Sequence, residues 1–146
     1  MANRWFPRIE ANDGARKLAK QGAIGVLIFT AMNVAALLSA YYLGISAFDR
    51  SQLDAQGVQF QLFGGAVLVP LLLFFAYRVY TVKGWFVSGL VLAWFILEIT
   101  MKVAKGTTSF VWFIPYIAIA AAMLNGVRAC WWLRNENRTK EFASDR

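Results

Sequence analysis

The chain contains no histidine and a single cysteine, Cys130. Without histidine it lacks the usual axial haem ligand, the commonest zinc and copper ligand, and the usual neutral-pH base. One cysteine makes neither an internal disulfide nor a CxxC redox pair. No GxxxxGK(S/T) or GxGxxG loop is present to cradle phosphates. These absences argue against thiol oxidoreductase, haem and nucleotide-hydrolysing chemistry, so no cofactor or metal is expected. Charge is also scarce, at 16% of the 146 residues.

What fills the chain is apolar. Hydrophobic residues make up 59% of it, more than a soluble domain of this length needs. Spans of about 20 residues cross a bilayer, and four of them use most of the sequence. The expectation is one all-α domain: a polytopic membrane protein, with four transmembrane helices in an antiparallel bundle and no room for a separate soluble catalytic unit.

Residues 1–21 form a basic lead-in, with Trp5 and Phe6 between Arg4 and Arg8, a mixture suited to the headgroup layer. Asn12 or Asp13 caps a short helix through Ala15–Lys20, or the segment is a flexible tail. The membrane domain, 22–133, divides into spans at 22–43, 60–80, 85–104 and 110–133, followed by a charged, frayed tail at 134–146. The first span has a signal-anchor profile. It reads as retained, because Leu38 spoils the small-residue cleavage pattern ending at Ala40. Pro70 lies inside the second span, and Pro115 interrupts the fourth.

Lysine and arginine set the orientation. Twelve of the fifteen lie in the N-terminal segment, beside the turn between the second and third spans (Arg78, Lys83), or from Arg128 onward. Only Arg50, Lys102 and Lys105 fall on the other side. The positive-inside rule then predicts that both termini and the turn between the second and third spans are cytoplasmic. The net charge of +7 reads as juxtamembrane charge facing anionic lipid, with no nucleic-acid patch.

Polar residues inside spans are functional candidates by default. Glu98 and Lys102 share a face of the third span at i, i+4, in the favourable order for a helical ion pair. Either Glu98 binds a proton or cation in a transport step, or the two neutralise each other and Lys102 snorkels to the outer interface. Asn33 and Pro70 fall near the middle of their spans. Proline frees the carbonyl four residues earlier, here Ala66, and the Asn33 amide is a donor of the right kind. Asn33, Pro70, Glu98 and Lys102 therefore make a candidate intramembrane polar site, or simply interhelical glue.

Arg78, Asn125 and Arg128, at the cytoplasmic helix ends, are candidates for contact with lipid phosphates or helix-end carbonyls. Arg128 and Glu98 should differ in depth by about 15–20 Å, too far for a salt bridge. Small residues recur at Ala36 and Ala40, and at Ala118, Ala122 and Gly126, for internal packing or for pairing with another membrane protein. The tryptophans mark span ends, with Trp94 the exception. Cys130 reads as an inert apolar residue or a palmitoylation site.

Three stretches, LFFAYRVYTVKGWFVSGLVL, LEITMK and the NGVRA of Asn125–Ala129, resemble a loosely defined group of small uncharacterised four-span bacterial inner-membrane proteins. In that group a short basic turn joins the second and third spans, and the fourth ends on Asn-Gly-x-Arg. The resemblance covers residues 72–133 and implies the span count, not a mechanism.

Three functions stay open on these grounds. One is a non-catalytic accessory or interaction subunit packing against other membrane proteins, or against a second copy of itself. Another is a small oligomeric transporter or channel using Glu98. The third, a lipid-active enzyme, lacks a good base without histidine. The first reading is preferred, and no enzyme activity is expected.

Overall fold

The computed structural model describes residues 7, 9, 12–45, 52–81, 84–106 and 113–144, with 113 and 138–144 described by backbone alone. Trp5 and Phe6 with their flanking arginines, Asp49, Arg50, Lys83, Trp112 and Arg146 lie outside the described residues.

Four helices make up the described fold: α1 (Asn12–Leu43), α2 (Ala55–Tyr80), α3 (Trp85–Ala104) and α4 (Phe113–Ser144). Each contains a stretch long and apolar enough to cross a membrane. Strands are absent among the described residues, which carry only one isolated bridge, Ile45 to Gln52. Beside it the Leu53 N–H donates to the Gly44 carbonyl at 2.7 Å. Gly44 adopts φ 63°, the left-handed conformation that ends a helix without a Cβ penalty. The chain re-enters helix at Asp54, whose carboxylate accepts from the Gly57 N–H at 2.7 Å.

The helix α3 coincides with the range expected of the third span, whereas α2 begins five residues before its expected start and the outer helices are longer still. At 32 residues each, α1 and α4 reach about 48 Å by helical rise, against a hydrocarbon core of about 30 Å. The start of α1 is neither a separate short helix nor a tail. Ala15, Leu18, Ala19 and Ala23 recur at helical spacing and bury against Ala129, Cys130 and Leu133 of α4. Charge at Arg16, Lys17 and Lys20 hides this stripe from hydropathy, but those side chains sit on the exposed face. The tail expected to fray is helical through Ser144. Pro115 does not interrupt the fourth helix, because it falls in the first turn of α4, where a missing N–H costs nothing. Pro70 does lie inside α2, on its exposed face.

Neighbours in sequence are neighbours in space. The helix α1 packs most extensively on α4 and α2, α3 packs on α4 and more lightly on α2, and the diagonal pairs barely touch. The chain is therefore an antiparallel four-helix membrane bundle, with the start of α1 and the end of α4 at one end, the basic end. A second core cluster fills its middle: Val26 and Phe29 of α1, Leu72 and Ala76 of α2, Val91 and Phe95 of α3, Ile119 and Met123 of α4. Phe29 and Phe95 meet edge to face at its centre, 5.0 Å between centroids.

Candidate functional site

The inward face of α3 reads Ser88, Val91, Phe95, then Glu98 and Lys102, at alternating three- and four-residue steps. The first three are buried, so the charged pair continues the core-facing stripe towards the end of the bundle far from the basic one. Lys102 Nζ donates to Glu98 Oε1 at 2.6 Å, with side chains only 17% and 12% exposed. Lys102 folds back onto its partner and does not snorkel outward. An unpaired carboxylate or ammonium at such a place would be expensive, and each makes the other tolerable.

Asn33 does not reach the carbonyl freed by Pro70. Its Nδ2 donates at 3.0 Å to the Phe29 carbonyl, one turn back in α1. Close range explains the choice, because an amide side chain meets its own i−4 carbonyl before it can cross to another helix. Thr30, buried beside it, does the same to Val26 at 2.8 Å. Pro70 faces outward from α2. Of the four residues grouped in sequence, the structure joins Glu98 to Lys102 and gives Asn33 and Pro70 separate surroundings.

At the basic end, Arg128 Nη1 donates to Asn125 Oδ1 at 3.2 Å. Asn125 is 6% exposed, so the Asn-Gly-x-Arg motif holds a buried amide against a half-buried guanidinium. Arg78 is half-buried at the end of α2, its carbonyl accepting from Thr81 Oγ1 at 3.2 Å. One residue beyond Asn125, Gly126 meets Gly22 of α1, so this motif also marks a backbone-to-backbone contact of α1 and α4.

Several contacts escaped the sequence reading. Lys20 Nζ lies 5.5 Å from the centroid of the Tyr80 ring, tying α1 to α2, and Arg134 Cζ lies 4.9 Å from that of Trp85, tying α4 to α3. Each aromatic ring closes or opens its own span, but its cationic partner comes from another helix and carries no local signal. Ser88 is buried and donates to the Trp85 carbonyl at 2.9 Å. Its phase with Val91 and Phe95 was the available clue. Cys130, 1% exposed, sits beside Ser88 and the Gly84 backbone, so the thiol is closed to an acyl donor in this fold. Among the described residues, no three histidine, cysteine, aspartate or glutamate side chains come together as a metal site.

The small-residue stripes serve packing within the chain. Ala122 and Gly126 meet α1 at Gly25 and Gly22, and Ala40 is fully buried, while Ala118 stays exposed. No protein-family model, curated protein or solved structure matches the chain.

Proposed function

We propose that this protein is a non-catalytic membrane subunit that packs against another membrane protein, with both termini on the cytoplasmic side of a bacterial inner membrane. The observation that carries this reading is that Asn33, Glu98, Lys102, Asn125 and Arg128 are all bonded within their own helices. These side chains thus find partners inside the chain, and the bundle's outward faces carry many large apolar side chains. On α2 these faces form a ridge of Phe60, Phe63, Val67, Leu71, Phe74 and Tyr77, all exposed. The basic residues gathered at one end, and the resemblance to small four-span inner-membrane proteins, support the orientation and the membrane.

Photo-crosslinkers at positions 63 and 74 test this, with position 24 on the outward face of α1 as the reference. A single membrane-protein partner should join to the α2 positions and not to position 24. A chain that stays monomeric and partnerless in mild detergent overturns the proposal.

The alternative is an oligomeric transporter in which Glu98 takes a proton or cation. It is favoured by the pair's place on the inward face of α3, where exchange of Lys102 for a mobile cation would expose a carboxylate to the bundle interior. Loss of cation- or proton-coupled flux in vesicles carrying folded Glu98→Gln would establish it in place of the subunit reading.

A further inference from the structure

An open groove lies on α3 near the basic end, beside Val127 of α4; it is lined by Trp85, Phe86, Gly89, Leu90, Ala93 and Val127 and has a volume of about 290 Å3. Its lining is almost wholly apolar. Gly89 and Ala93 form its floor one turn apart, and a Cβ built on Gly89 meets nothing within 4 Å. From Trp85 to Ala93 the helical rise covers about 12 Å, so the groove extends from the end of the helix well into the hydrocarbon layer. A cation stands at its mouth. Arg134 lies two turns beyond Val127 on the same face of α4, and its guanidinium rests over the ring of Trp85, 4.9 Å from the centroid. Arg134 is itself exposed, so the cation is accessible from outside.

We infer that this groove seats one anionic phospholipid, its acyl chain along Gly89 and Ala93 and its phosphate on Arg134. The occupant follows from the charge pattern: an apolar trough closed at its headgroup end by a cation and an indole complements a molecule that is apolar below and anionic above. The Trp85 ring fixes the guanidinium at that level through its π face. A transmembrane helix from a second copy is the competing occupant of the apolar floor, and groove-filling variants separate it from a lipid. The inference does not rest on the subunit or transporter reading.

Native mass spectrometry of the full chain in detergent, titrated separately with phosphatidylglycerol and phosphatidylcholine, tests it. The native protein should retain one phosphatidylglycerol about fivefold more tightly than phosphatidylcholine, the preference one surface arginine supplies. Arg134→Gln should abolish the preference. Arg16→Gln removes the same charge from the exposed face of α1 at the same end and should leave the preference intact. Gly89→Leu, at a position where a Cβ meets nothing within 4 Å, fills the groove and should weaken retention of both lipids, and Ala93→Leu should do the same. Equal retention of the two lipids by native protein overturns the inference. So does equal loss in Arg16→Gln and Arg134→Gln, which would make the attraction diffuse. Unchanged retention in folded Gly89→Leu or Ala93→Leu, or a dimer that these variants dissolve, would overturn it by removing the groove from lipid binding or assigning it to a second copy.

Discussion

A Cβ placed on Gly22 would stand 2.5 Å from the Gly126 Cα, and one on Gly126 would stand 2.8 Å from the Gly22 Cα. The helices α1 and α4 therefore touch backbone to backbone at this crossing, as small residues permit between membrane helices. Gly22→Ala and Gly126→Ala should each destabilise the bundle by about 1–3 kcal/mol through overpacking. Gly14→Ala, where a Cβ meets nothing within 4 Å, should be neutral or gain up to about 1 kcal/mol of helix propensity. Unfolding titrations in mixed micelles separate the three, and a tolerated Gly22→Ala would contradict the crossing.

The Glu98–Lys102 pair predicts a strong non-additivity. Removing one partner takes the 2.6 Å ion pair out of a site that is mostly buried. Glu98→Gln and Lys102→Met should each cost about 3 kcal/mol, and the double variant less than the sum. The double-mutant cycle is read from the same titrations. Additive losses would mean that the two side chains do not depend on each other.

Phe29 and Phe95 are each about 1% exposed and pack edge to face. Truncating Phe29 to alanine should open a void at the centre of all four helices and cost about 3–5 kcal/mol. Leu38→Ala, at a position 52% exposed on the same helix, should change stability little. A melting point for Phe29→Ala close to that of Leu38→Ala would place the core elsewhere.

Cys130 should resist maleimide in the folded protein and react after denaturation, because it is closed in between α4 and the start of α3. In a Cys130→Ala background, cysteine at position 17 should label only from the cytoplasmic side and cysteine at position 54 only from the opposite side. Labelling of both from the same side would refute the antiparallel arrangement. Exchange of the two sides would refute the proposed orientation.

The bounds of the third helix were legible because, the Glu98–Lys102 pair aside, it is largely apolar from Trp85 to Ala104 and flanked by glycine and charge at both ends. The start of α1 was not, because three cations on its outer face dilute a buried stripe of alanine and leucine. Hydropathy averages around the helix, whereas burial depends on one face of it. In the candidate site, the Glu98–Lys102 pair was readable because an i, i+4 contact is fixed by helical geometry alone. The partner of Asn33 was read wrongly across helices, since the reach of its amide depends on rotamer and neighbour distance, which spacing does not encode.

Four membrane-crossing helices, their antiparallel succession and the gathering of charge at one end can be read from the chain before it folds. Each of these follows from local composition and from the cost of placing polar backbone and charge in hydrocarbon. That α1 lies between α2 and α4, that Gly22 meets Gly126, and that Arg134 covers Trp85 beside an open groove emerges with the folded bundle. Those outcomes depend on which small residues from distant helices fall opposite each other. Close packing selects that register only when all four helices are assembled.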